Sequence, residues 1–275
     1  MEAVQPSDRL YCLDVCTNES WKWMKTIMDT QKRVTILGVP FLHATKKETV
    51  DVLTRRIEEN KQTQVVTANP EIVMLGRQNA SYMELLKRSQ VVTPDGIGVV
   101  LASRWIGQPL PERVAGYELL HALMVQADTY GWKYVLLGAS PESCAGAADR
   151  LKEQYPHARY SGHFDGYFSE AEEKQILEHI RRERPHLLFV ALGAPRQEEW
   201  IARHLPELPV NLAMGVGGSF DVISGKVKRA PVFWQKLNLE WMYRLLSQPK
   251  RWRRQLLLPK FALSVIWNQI ILRRK

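Results

Sequence analysis

From Arg33 onward the chain alternates short runs of β-branched and aliphatic residues with longer stretches whose apolar positions recur every three or four residues. The runs at 34–37, 64–67, 90–93, 134–138, 187–192 and 210–214 have the length and composition of strands. Helical spacing covers 46–60, 71–76, 80–89, 97–105, 117–130, 142–154 and 170–184. Strands that alternate with helices of this length form βαβ units, so the expected class is α/β: a doubly wound, mostly parallel, Rossmann-like sheet covered on both faces. Residues 1–32 show no period and read as an N-terminal extension. A loop at 225–231 closes the α/β core, 33–230, and opens a helical C-terminal appendage, 231–275.

Charge sharpens that last division. Of the formal net charge of +9, all is accounted for by nine Lys and Arg in 241–275, a stretch without Asp or Glu. The same stretch carries Trp241, Leu245, Trp252, Phe261, Ile266 and Trp267, so a merely solvated tail is excluded and an anionic membrane surface is the expected partner. No run reaches the about 18 uncharged apolar residues of a spanning helix. The nearest, 261–272, is interrupted by Ser264, Asn268 and Gln269, and 1–20 lacks a signal-peptide pattern. The expected location is cytoplasmic, peripheral on the inner face of the membrane, with exposed tail surface favouring self-association away from lipid. Three cysteines, Cys12, Cys16 and Cys144, make no disulfide framework, and Cys12 and Cys16 lack the further ligands of a zinc site. With 45% hydrophobic and 24% charged residues, disorder, collagen and coiled coil are excluded.

In an open parallel sheet, ligands bind at the carboxyl ends of the strands. The residues that follow the expected strands are Thr67-Ala68-Asn69-Pro70, Thr93-Pro94-Asp95-Gly96, Gly138-Ala139-Ser140-Pro141, Gly193-Ala194-Pro195-Arg196-Gln197 and Gly215-Val216-Gly217-Gly218. Two readings of them stay open: helix caps and turns, or an anion site of backbone amides suited to phosphate. No GxxxxGK[ST], GxSxG, HExxH or Asp-x-Asp occurs, and the late, incomplete glycine motif at Gly215 does not satisfy a nicotinamide fingerprint. No metal site and no cofactor are expected. If a diphosphate leaves, arginines and helix N-termini must carry its charge.

Six blocks carry a resemblance: Val66–Val73; Thr93–Val100; Pro111-Glu112-Arg113-Val114-Ala115-Gly116; Val190–Glu198; Gly215–Asp221 with Ser224-Gly225; and Lys228-Arg229-Ala230-Pro231 followed by Leu239-Glu240-Trp241 and Tyr243-Arg244. In order and over about residues 33–258, they resemble the WecG/TagA/CpsF family of bacterial glycosyltransferases. Glu118 stands where members often show Asp.

The resemblance implies inverting, metal-independent transfer of N-acetylmannosamine from its UDP donor to N-acetylglucosamine on undecaprenyl diphosphate. The product would be a β-(1,4)-linked lipid disaccharide for wall teichoic acid or a related surface polymer; N-acetylmannosamine uronic acid is the alternative donor sugar. Asp95 matches the family's proposed base. Thr67, Asn69, Arg113 and Gln197 match positions toward substrate, and Gly215, Gly217 and Gly218 would let the backbone approach the nucleotide. Arg244, Arg251 and Arg254 match basic positions of the appendage that would neutralise the diphosphate, or else serve lipid head groups alone. From another class, a basic-tailed nucleic-acid-binding α/β protein would require salt-dependent binding, but no nucleic-acid motif is present and none is expected as partner.

Overall fold

The structure, a computed structural model, describes residues 32–228, 230–231, 233–234, 242–243, 245 and 256–273. Contacts divide the chain into Met1–Arg33 and Val34–Lys275; the fold that follows is that of the second unit. Strands β1 (Arg33–Ile36) and β2 (Val39–Leu42) pair as a small hairpin. Leu37 and Gly38 turn it with φ of 49° and 92°, the two positive values that a two-residue hairpin turn needs.

The main sheet holds β3 (Thr63–Ala68), β4 (Val91–Pro94), β5 (Lys133–Gly138), β6 (Arg159–Phe164), β7 (Leu187–Ala191) and β8 (Leu212–Gly215) in the order β4-β3-β8-β7-β5-β6, every neighbour parallel. The helices are α1 (Lys46–Glu58), α2 (Pro70–Gln78), α3 (Ala80–Arg88), α4 (Ile97–Trp105), α5 (Gly116–Tyr130), α6 (Pro141–Gln154), α7 (Glu170–Glu183), α8 (Arg196–His204), α9 (Ser219–Ile223) and α10 (Leu257–Arg273). This is the α/β, parallel, helix-flanked class expected, with a helix in the C-terminal region.

The six expected strands and seven expected helices all form, with ends displaced by a few residues. Two strands and two core helices were not expected. A single apolar stretch, 34–42, hides the β1–β2 hairpin behind one turn. The edge strand β6 has the polar sequence RYSGHF and is half-exposed, so it has no apolar run to detect. Helix α9 is only five residues long, and α8, RQEEWIARH, opens on four polar residues and so shows little apolar period.

Alternate residues along the buried strands feed two layers. On one face Val65, Leu136, Phe189 and Met214 meet Leu53 of α1, Leu120 and Met124 of α5, Ala147 of α6 and Phe220 of α9. On the other, Val66 and Val92 meet the hairpin, α2, α3 and α4, while Val135, Leu188 and Ala213 meet Ile176 of α7 and Trp200 of α8. The connection leaving β3 therefore runs to one face and that leaving β8 to the other. Where such neighbours part, their carboxyl ends leave a crevice.

Helix α10 lies against α2 and α4. Phe261 and Val265 enter the core at 2% and 1% exposure, whereas Leu263, Ile266 and Trp267 remain exposed. In α10 both faces are thus apolar. Among the described residues, no helix is long and apolar enough to cross a membrane.

Phe261→Ala should remove about 3 kcal/mol of packing from this contact. Hydrogen exchange over Leu257–Arg273 is expected to rise accordingly. Unchanged protection would show that α10 is not anchored by this side chain.

Candidate active site

Across the crevice between β3 and β8, Thr67 Oγ1 donates to Gly215 O at 3.3 Å, with Thr67 buried. From the α5 side Gly116 closes on the same threonine, and a Cβ built on Gly116 would stand 2.8 Å from Thr67 Oγ1. Gly116 N–H in turn donates to Asp95 Oδ2 at 3.2 Å. Asp95 is held at its own backbone by a bond from its N–H to Ala68 O, 3.0 Å, at the end of β3. Its carboxylate so lies at the positive end of α5, in the loop that follows β4.

Asp95 does not cap the helix after it. The residue before α4 is Gly96, at φ +116°, and α4 starts without a side-chain cap bond. The turn-and-cap reading of this loop is corrected accordingly: glycine makes the turn, and the carboxylate is carried across to another element.

Asn69 is a cap. Its Oδ1 accepts Ile72 N–H at 3.0 Å, with Pro70 as the first residue of α2. Ser140 similarly caps α6, its Oγ accepting Ser143 N–H at 3.3 Å. The anion-site reading of these helix starts is narrowed, because a side-chain oxygen already takes an amide at α2, α5 and α6.

Arg113 is expected to face substrate. It pairs instead with Glu118 of α5, Nη2 to Oε1 at 3.2 Å, and Lys46 Nζ lies 3.7 Å from the other oxygen of Glu118. Glu112 accepts from Lys46 N–H. The carboxylate at 118 thus serves as an anchor for two cations, and the segment carrying Arg113 is tied to β4 by Val114 N–H to Pro94 O, 2.9 Å.

Gln197, in the first turn of α8, is 4% exposed. Its Oε1 accepts Gly217 N–H at 3.0 Å, and its Nε2 donates to Glu198 Oε1 at 2.7 Å. A Cβ on Gly215 would sit 2.6 Å from Gln197 Nε2 and 3.0 Å from Glu198 Oε1, so only glycine fits beneath this pair. Gly217 takes φ +50° over open space, and Gly218 precedes α9. One glycine-turn amide is therefore committed to Gln197. Arg244, Arg251 and Arg254 lie outside the described residues.

The structure brings Thr67, Asp95, Gln197, Gly215 and Gly217 into one set of contacts, joined through Gly116, at the ends of β3, β4 and β8, with Gly218 at its margin and Asn69 two residues after Thr67 as the cap of α2. Arg113 stands one ion pair away, through Glu118 at the start of α5.

Sequence reasoning missed Glu198 and Tyr82. Glu198 is fully buried, receives Tyr82 O–H on Oε2 at 3.0 Å, and accepts Gln64 Nε2 on its backbone oxygen at 3.0 Å. Burial pushes its carboxyl up to about 7, against the bonds from Gln197 and Tyr82 that hold it down. Burial and the adjacent carboxylate together push the Tyr82 phenol up, keeping it a donor. A polar position directly after Gln197 in the Gly193–Glu198 block was the available signal.

Among the described residues no group of three or more His, Cys, Asp or Glu could hold a metal ion. Cys144 is buried, its thiol pushed up to about 12 by burial, and bonds to Phe164 O.

A carboxylate and a glycine turn thus stand at the switch point of a parallel sheet, where an open α/β sheet takes its ligand. A sequence model described as the glycosyl transferase WecG/TagA/CpsF family matches residues 34–275, and the chain belongs to that family. The chain is 42% identical over 216 residues to the N-acetylglucosaminyldiphosphoundecaprenol N-acetyl-beta-D-mannosaminyltransferase of Bacillus spizizenii, covering 78% of this chain and 83% of that one. Proteins of the same name from Bacillus subtilis and Staphylococcus aureus (strain MW2) are each 37% identical, over 84% and 85% of this chain and 90% and 92% of theirs.

The Glu198 carboxyl gives a stability test. A folded-state value of about 7 against the ordinary 4.5 means that the folded protein holds this proton more tightly than the unfolded chain. Its contribution is therefore full below pH 4.5 and falls as pH rises through 7, by about 3 kcal/mol in all. Relative to wild type, Glu198→Gln should gain about 2 to 3 kcal/mol between pH 5 and pH 8 in denaturant unfolding. A difference that does not change with pH would refute the buried, ionising carboxyl.

Proposed function

We propose that this protein transfers N-acetylmannosamine from a UDP donor to the N-acetylglucosamine of a polyprenyl-diphosphate-linked acceptor, with inversion and without a metal. The observation that carries the reading is Asp95, held by Gly116 N–H and Ala68 O at the mouth of the β3–β8 crevice in a chain of this family. The names of relatives at 37–42% identity supply the sugar and the acceptor.

In this mechanism the acceptor hydroxyl attacks the anomeric carbon from the face opposite the diphosphate, and Asp95 takes its proton. The C–O bond to the diphosphate breaks, and UDP leaves with the bonding pair. Arg244, Arg251 and Arg254 would neutralise that charge, with Arg113 a further candidate when substrate competes with Glu118. Gln197 and the glycine turn would seat the nucleotide. Thr67 and Asn69 act mainly as scaffold, the one bridging β3 and β8, the other starting α2.

The lipid acceptor requires the crevice to work at a membrane surface. Leu101 and Trp105 of α4 and Leu263, Ile266 and Trp267 of α10 are exposed on two helices in contact, and 241–275 adds nine cations. Together they suit peripheral binding to an anionic leaflet, with apolar side chains buried at the interface and cations near head groups.

Mass spectrometry of a reaction with UDP-N-acetylmannosamine, a short-chain polyprenyl diphosphate N-acetylglucosamine and EDTA should give a product one N-acetylhexosamine heavier. Asp95→Asn should slow it on the order of 100-fold or more without unfolding. Product only from the uronic-acid donor would change the sugar, and product from neither donor would overturn the substrate reading. In flotation with vesicles containing anionic phospholipid, the double variant Leu263→Asp with Trp267→Asp should partition at least about tenfold less than wild type. Equal partitioning would remove α10 from the membrane contact.

A further inference from the structure

The run of bonds from Tyr82 through Glu198 and Gln197 to Gly217 has a direction. An ionised carboxylate only accepts hydrogen bonds, so Glu198 Oε1 obliges the Gln197 amide to present Nε2 to it. Gln197 Oε1 is then left for Gly217 N–H. A neutral group at 198 lifts that obligation, because it can itself donate to Gln197 Oε1. Because a neutral group also keeps an acceptor oxygen, the amide is then free to take either orientation, and in the turned one its NH2 meets Gly217 N–H, donor against donor, and the turn loses its acceptor.

The ends of the turn are held separately: Thr67 Oγ1 donates to Gly215 O, Val216 N–H to Val190 O and Ser219 Oγ to Val216 O. Between them Gly217 sits at φ +50° with nothing within 4 Å of where a Cβ would lie, and the bond from its N–H to Gln197 ties this middle residue to α8. The carboxylate, by contrast, is fixed on every side. Tyr82 of α3 donates to it, Gln64 of β3 holds its backbone oxygen, and Gly215 of β8 lies beneath it. A charged group that acts on it is Glu199, next along α8, and among the described residues no ion pair reaches it. A wholly buried carboxylate without a cation is costly to keep, and here its one directional output is the glycine turn.

We propose that Glu198 is a positioning residue: its carboxylate sets the Gln197 amide, which holds the Gly215–Gly218 turn in the conformation that receives the nucleotide-sugar. What the turn receives rests on the transferase reading above; the positioning network does not.

The test has one arm without substrate and one with it. Hydrogen exchange of the Gly215–Gly218 segment, corrected for intrinsic rates between pH 5.5 and 8.5, should show protection in wild type that is lost as the pH falls and Glu198 takes a proton. Glu198→Gln should lose at least about tenfold of that protection at all pH values, and its KM for the UDP-sugar should rise more than its kcat falls. Tyr82→Phe keeps the carboxylate but removes a bond that favours its ionised form. In that variant both the loss of protection and the acid limb of kcat/KM should therefore move to higher pH, an effect that a purely structural role would not produce. If Glu198→Gln does not fold, Tyr82→Phe decides. Wild-type exchange and KM in Glu198→Gln, or an acid limb that stays in place in Tyr82→Phe, would overturn the proposal. Exchange behaving as expected while wild type yields no product would support the network and overturn the transfer reaction instead.

Discussion

Everything at the site depends on how closely β3, β8 and the start of α5 approach one another. Thr67 is the point of closure: its hydroxyl bonds Gly215 across the parting of the sheet, and Gly116 presses on it from α5 at a distance no Cβ would allow. Gly215 meets the same limit from the other side, under Gln197 and Glu198. Two glycines are thus required by contact, where a turn alone would have needed only a positive φ. Because α5 is drawn in so far, its first amide reaches Asp95, and a carboxylate that could have capped its own helix is held over the crevice instead.

Two carboxylates lie on either side of this closure in opposite settings. Asp95 is at the mouth of the crevice and half-buried, its carboxylate accepting Gly116 N–H at a helix start and its own N–H bonded to Ala68 O. Glu198 is sealed behind the glycine turn, reached by a phenol and an amide, and burial raises its affinity for a proton. The first arrangement suits a group that meets substrate, and the second suits a group that shapes what meets substrate. Natural sequences seldom retain an unpaired buried charge where packing alone is at stake, which is why the second carboxylate carries information about the site.

The sequence makes legible what depends on local pattern. The parallel α/β class, the inner strands and seven helices follow from runs of apolar residues at period two or 3.6, and the strand ends that form the site follow from the class. It conceals what depends on long-range contact. Strand β6 is a polar edge, and β2 merges with β1 across a turn. The partner of Arg113 is Glu118 rather than the adjacent Glu112, because Glu118 stands in the first turn of a helix that only the fold brings alongside. Gln197 is a polar residue near a helix start, and only the packing of α8 over Gly215 buries it. The polar position at 198 is a weak signal for the same reason: a charged residue is expected in water until something encloses it.

The C-terminal helix shares the geometry of the crevice. Helix α10 packs on α2 and α4, and these two helices begin at Pro70 and Ile97, directly after the ends of β3 and β4. The helix that faces outward with Leu263 and Trp267 therefore bears on the two elements whose first residues follow Asn69 and Asp95. Gly98 makes that region tight, since a Cβ there would lie 3.0 Å from Pro70 Cγ, so α2 and α4 can shift little relative to each other. In the proposed reading this is how a lipid-linked acceptor and a carboxylate above a sheet come to the same place. A surface held by α10 fixes α2 and α4 with respect to the membrane, and their starting points carry the crevice with them.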